Sequence, residues 1–110
     1  MYRATTPIHT FIFEVDPDAM FKSILITYAQ GNEIVLEKNK NAMTFRQSTD
    51  CHGNVVYEGS LKLTQEESNL FSTKSSVTVQ IRALTYEDDA VASDKMNIAI
   101  RAVLNDEVLV

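Results

Sequence analysis

Residues 76–85 read as a strand that alternates as far as residue 83: Val77, Val79, Ile81 and Ala83 are apolar, and Thr78, Gln80 and Arg82 between them are polar. A repeat of two puts every apolar side chain on one face of a strand, whereas a helix would scatter them around its circumference. Residues 94–104 repeat the pattern, with Met96, Ile98, Ile100 and Ala102 on one side and Asn97 and Arg101 on the other. Two alternating runs of similar length predict an antiparallel pair with one wet face. Ile81 and Ile98, mid-strand, are expected at the centre of the core.

The rest of the chain divides into similar short runs. Residues 9–15 place Phe11, Phe13 and Val15 on one face, and because Ile12 is apolar too, both faces of this strand read as covered. Asp16-Pro17-Asp18 ends it, since proline removes a ladder donor and aspartate favours turns. Residues 19–22 read as a helical turn. Residues 23–29 form a strand with Ile24, Ile26 and Tyr28 on one side and Leu25 on the other. Gly31 and Asn32 tolerate positive φ and predict a hairpin into residues 33–38. Residues 42–48 follow as a strand carrying Met43 and Phe45, and residues 55–63 as another, in which Gly59 points to a bulge or a sheet edge. Thr64-Gln65-Glu66-Glu67 is a capping box, with a short helix expected through Phe71 and with Leu70 and Phe71 plugging one end of the core. Residues 86–93 read as an acidic loop.

Short strands with turns every 8–12 residues and one capped helix predict a single domain, residues 1–110. The expected fold is an all-β, immunoglobulin-like β-sandwich of about seven antiparallel strands. With no tryptophan and one cysteine, Cys51, the chain is not a disulfide-pinned antibody-type domain. Its 110 residues can bury a sizeable core without staples.

The formal net charge is −5, and the ten basic residues are scattered from Arg3 to Arg101. Nucleic-acid binding needs grouped cations, so that partner class is excluded. No window approaches the roughly 18 apolar residues of a membrane span. The opening residues 1–7 lack the apolar stretch of a secretory signal, which places synthesis in the cytoplasm, and a lone thiol suits that compartment.

The candidate chemical groups have ordinary structural readings. Cys51-His52 lies in a polar turn, where neighbours in sequence do not orient one another as nucleophile and base, and His9 is far away. Structural zinc needs four ligands at paired spacings, which are absent. Glu67 is used by the capping box and Glu66 favours the same helix terminus. Glu87-Asp88-Asp89, with Asp94 nearby, lacks the spacing of a calcium loop and reads as a solvated hairpin tip, as do Asp16 and Asp18. Phosphate-binding and nucleophile-elbow glycine motifs are missing from a chain with three glycines. No enzyme activity, cofactor or metal is expected.

The end of the chain is less ordinary. Val108-Leu109-Val110 is an apolar triplet after Asn105-Asp106-Glu107. It docks either on its own sheet or, as an added strand, on a neighbouring subunit, and is the candidate partner interface.

Several segments also resemble a known group of proteins: Tyr2-Arg3-Ala4-Thr5-Thr6-Pro7-Ile8-His9-Thr10-Phe11, the stretch ILITYAQGNEIVLEK at residues 24–38, LTQEE at 63–67 and VLNDEVL at 103–109. Together they resemble small uncharacterised proteins encoded in prophage and phage-like regions of Firmicutes. The shared motifs are structural, so no catalytic residue is carried over. The resemblance implies a non-enzymatic structural or accessory protein of a phage, near the tail or baseplate, with itself or other phage proteins as partners, and incorporation in a virion. The alternative is a carbohydrate or cell-wall binding module using Tyr2, Tyr57 and Tyr86 as aromatic platforms.

Overall fold

The structure, a computed structural model, describes residues 1–92 and the backbone of residues 96–98. The strands are β1 (Ile8–Phe13), β2 (Phe21–Gln30), β3 (Glu33–Asn39), β4 (Met43–Thr49), β5 (Val55–Lys62), β6 (Val77–Thr85), β7 (Ala90–Ala92) and β8 (Met96–Ile98). Two single-turn helices, α1 (Pro17–Met20) and α2 (Gln65–Ser68), and a 3-10 turn at Lys40–Ala42 complete the described chain.

The strands form two antiparallel sheets, so the all-β sandwich is what the alternation predicted. The smaller has the order β1-β5-β4. The larger runs β3-β2-β6, with β7 and β8 in line along the remaining edge of β6. Met96 stands opposite Val79 and Ile98 opposite Val77, the antiparallel pairing expected of the two alternating runs. Ile100, Ala102 and the candidate interface Val108-Leu109-Val110 lie outside the described residues.

The immunoglobulin-like connectivity is not what the strand order shows. A constant-type immunoglobulin domain groups its first, second, fourth and fifth strands in one sheet. Here the second strand lies between the third and sixth in the other sheet. The cause is local. Asp16 caps α1 by accepting the Asp18 amide, Pro17 takes the first helical position, and this turn carries the chain across to the second sheet instead of back along β1. The helical turn therefore begins at Pro17, earlier than its sequence reading.

The core consists of Phe11, Phe21, Ile24, Ile26, Tyr28, Met43, Leu61, Leu63, Phe71, Val77, Val79, Ile81 and Ala83. The expected inward sets of β2 and β6 are all present. Three side-chain expectations are corrected. Val15 lies beyond β1 and is exposed. Ile12 is 60% exposed, so the outer face of β1 is uncovered. Phe71 is buried, but Leu70 is exposed, because α2 closes at Ser68 and the two residues are not on one apolar stripe. The acidic loop is also shorter than expected, since Ala90 already pairs with Leu84.

Gly59 marks neither a bulge nor an edge. It occupies the central strand of the smaller sheet, in unbroken register with Phe11 on one side and Phe45 on the other. A Cβ built there would stand 2.7 Å from Met43 Cε, 2.9 Å from Phe13 Cε2 and 3.1 Å from Phe45 Cε1. The glycine is required by the close approach of three large side chains over the sheet.

Candidate functional site

The residues singled out in the sequence are dispersed. Cys51 and His52 are exposed in the β4–β5 hairpin loop. The loop is organised by Asp50, whose carboxylate accepts the amides of His52 and Asn54, each at 2.9 Å, while Gly53 turns at φ +82°. Those hydrogen bonds, the Asn54 amide foremost, hold the Asp50 carboxyl below its ordinary range. At the β6–β7 turn, Asp88 adopts φ +65° and pairs with Lys22. Asp94 lies outside the described residues. Among the described residues no group of three His, Cys, Asp or Glu side chains gathers to hold a metal.

The capping box is formed in full. Thr64 Oγ1 accepts the Glu67 amide at 3.1 Å, and Glu67 Oε1 accepts the Thr64 amide at 2.9 Å. Its other carboxylate oxygen pairs with Lys38 of β3. Burial alone would raise the Glu67 carboxyl, but the Lys38 ammonium and the Thr64 amide together hold it below its ordinary range.

Beside this pair lies a polar contact that the sequence did not reveal. Tyr28, fully buried on β2, is 2.7 Å through its hydroxyl from Nδ1 of His9 on β1. The bond joins the two sheets through the core, and the ring of Phe71 packs on Tyr28 at 5.9 Å. Burial first, and Glu67 second, push the Tyr28 phenol above its ordinary value, so it keeps its proton. Burial first, and the N-terminal ammonium second, lower the His9 imidazole. Period-two logic places Tyr28 and His9 inward on their strands, but nothing in a sequence pairs them across sheets.

The tyrosines proposed as platforms occupy different surroundings. Tyr57 lines a shallow depression of about 250 Å³ with Asp16, Asp18, Phe45, Arg46 and Gln47. Tyr86 lines another, of about 370 Å³, with Ala19, Met20, Thr85, Glu87 and Asp89. α1 separates the two, contributing residues to each. Tyr2 is exposed on the N-terminal segment.

The sheet edges differ sharply in protection. β3 carries Glu33, Glu37 and Lys38 and a register irregularity beyond Tyr28. β4 presents the exposed Arg46. β7 is only three residues long. Charges, bulges and short length are the devices by which edges avoid pairing with other chains. β1 has none of them: Ile8-His9-Thr10-Phe11-Ile12-Phe13 is six residues long, without charge, proline or bulge. Its outer face shows Ile8 at 63% exposure and Ile12 at 60%. Among the described residues it pairs with β5 alone.

The phase of that edge is fixed as well. The Leu63 amide donates to the Pro7 carbonyl at 3.0 Å, in register with the β1–β5 ladder. Backbone groups of an antiparallel strand alternate sides. Pro7, His9, Phe11 and Phe13 therefore face β5, and Ile8, Thr10 and Ile12 turn their N–H and C=O groups to the open side.

No protein-family model matches this chain, and no curated protein matches it.

Proposed function

We propose that the chain is a non-enzymatic structural or accessory protein of a phage particle, a tail- or baseplate-type module that works by docking on protein partners, itself among them. The observation that supports docking is the unguarded β1 edge. An exposed, uncharged strand with branched apolar side chains on its outer face is a template for another chain, and the other edges of the described fold carry charge, irregularity or brevity. The phage setting comes from the resemblance of the opening residues, the β2–β3 hairpin and the capping segment to prophage-encoded proteins. The experiment is direct: antibody to the chain is applied to particles purified on a density gradient from an induced culture of the source bacterium. The chain is expected in the particle band and as label on the tail; a chain found wholly in the free protein fraction defeats the reading.

The depression beside Tyr57 favours a second reading, a carbohydrate or cell-wall binding module. Tyr57 and Phe45 offer ring faces, and Asp16, Asp18, Gln47 and Arg46 offer hydrogen-bonding groups around them. Gel retardation in polymers of cell-wall sugars, lost in Tyr57→Ala and kept in Cys51→Ser, distinguishes it from the first.

A further inference from the structure

A hollow of about 400 Å³ opens on the outer face of the larger sheet, lined by Ser23 and Leu25 of β2, Asn39 of β3, Arg82 and Leu84 of β6, and Ala90 of β7. The register of the sheet builds it. Ile24 and Ala83 stand opposite each other and are buried, so their neighbours along each strand face outward. One outward row crosses the sheet as Asn39, Leu25, Arg82 and Ala92, and the next as Ser23, Leu84 and Ala90. Leu84 thus stands between two short side chains, which leave room on either side of it. The volume falls within the roughly 300–1,000 Å³ of small-molecule sites.

The polar groups of this hollow are donors. The chain has a net charge of −5, yet no acidic side chain lines the hollow, and its one charged group is Arg82. Lys22, Lys38, Lys40 and Arg46 are each paired with a carboxylate. The exposed Arg82 side chain has no hydrogen bond or ion pair among the described residues. Its cross-strand neighbours, Leu25 and Ala92, offer it no acceptor. Asn39 is also turned toward donation. Its Oδ1 accepts the Asn41 amide at 3.1 Å to cap the 3-10 turn, which leaves its Nδ2 hydrogens for another acceptor.

We infer that this hollow binds a small organic monocarboxylate with an apolar body. The planar fork of Arg82 matches the two carboxylate oxygens, and the Asn39 amide and Ser23 hydroxyl supply further donors. Leu25, Leu84 and Val91, which also lines the hollow, give the apolar body a surface to cover. Charge selects among anions. One guanidinium balances one carboxylate, whereas a phosphate monoester carries roughly 1.5–2 negative charges at neutral pH and finds no second cation among the lining residues. β1 contributes no residue to the hollow, so ligand binding here and docking through the β1 edge are separate properties of the chain.

The test is a titration of the full, isotopically labelled chain followed by its amide NMR spectrum, at constant ionic strength. The probes are phenylacetate and hexanoate, one aromatic and one aliphatic body, with phenylacetamide and phenyl phosphate for comparison. Saturable shifts are expected with the carboxylates, centred on the amides of Ser23, Leu25, Arg82, Leu84 and Ala90. Phenylacetamide, which keeps the body and loses the charge, is expected to bind roughly tenfold or more weakly, as is phenylacetate to Arg82→Met, which keeps the apolar stem. Ala90→Leu fills the hollow and is expected to weaken both carboxylates. The spectra themselves report that the variants fold, and the phenylacetamide comparison needs no variant. Absence of saturable shifts with both carboxylates overturns the site, as do shifts centred elsewhere on the surface. Equal binding by folded Arg82→Met, or equal binding of phenylacetamide, overturns recognition of the charge. Tighter binding of phenyl phosphate than of phenylacetate overturns the monocarboxylate class. Absence of the chain from phage particles, with carboxylate binding intact, defeats the phage reading without touching this one.

Discussion

Gly59 shows how one residue type acquires opposite meanings. In the sequence a glycine within a strand marks a bulge, an edge or a close approach, and nothing local separates these. The separation lies in Phe13 and Phe45, which flank it on neighbouring strands, and in Met43 above them. None of those lies within ten residues of Gly59 along the chain, so the reason for the glycine is invisible until the sheet order is known. The energetic consequence follows from the distances. A methyl group at 2.7 Å from Met43 Cε and 2.9 Å from Phe13 Cε2 is inside contact distance, and only the methionine end yields easily. Gly59→Ala is therefore expected to destabilise the domain by about 1–3 kcal/mol through overpacking, despite the better strand propensity of alanine. Urea unfolding measures this, and Met43→Ala introduced with it should recover part of the loss; a neutral Gly59→Ala contradicts the packing described.

At the level of elements, connections that stay within a sheet and connections that cross between sheets use different chemistry. The three hairpins turn at residues with positive φ: Gly31, Gly53 and Asp88. Only Gly31 of the Gly31-Asn32 pair adopts it, the pattern of a type II′ turn. The three crossings each contain a helical turn begun by a side-chain cap, Asp16, Asn39 and Thr64. Most of these signals were readable, because a turn glycine and a capping box act over a few residues. The strands β2, β3 and β6 were readable for the same reason. The fastening of the N-terminal segment was not. Ser68 is buried at the end of α2, donates its hydroxyl to the Thr5 carbonyl at 2.8 Å and accepts the Thr5 amide at 3.1 Å. That contact spans 63 residues of sequence, and a serine after a capping box looks like any other. Ser68→Ala is expected to cost about 1–2 kcal/mol, because it leaves half-buried backbone groups of Thr5 without this partner. Amide hydrogen exchange should show faster exchange in residues 1–7 while β6 keeps its protection; unchanged exchange at Thr5 would show that Ser68 does not hold the segment.

For the molecule as a whole, the sandwich class followed from alternation, but the assignment of strands to sheets did not. Alternation says which face of β2 is buried and is silent on which sheet receives the strand; one turn at Asp16-Pro17 decides that, and the resulting order departs from the immunoglobulin pattern. The same decision brings Tyr28 opposite His9, so the polar link through the core is a consequence of topology. It also makes stability depend on pH. The Tyr28 hydroxyl and Nδ1 of His9 share one hydrogen bond while the ring is neutral. Protonating the ring adds a charge to a site whose burial already disfavours it. The folded-state pKa of His9 lies below its ordinary 6.5, so between the two values the unfolded chain binds more protons. The His9 contribution is complete above about pH 6.5 and is lost as pH falls through the folded-state value. Glu67 and Asp50, both lowered carboxyls, lose their contributions in a separate window below the ordinary carboxyl range. The urea midpoint is therefore expected to fall between pH 7 and pH 5, above the window in which Glu67 and Asp50 lose their contributions. His9→Asn keeps an acceptor near the Tyr28 hydroxyl and has no proton to gain, so it should lower the midpoint at pH 7 yet flatten the slope from pH 7 to pH 5. A slope that survives in His9→Asn would assign the dependence to another group, and the cross-sheet bond would then carry stability without sensing pH.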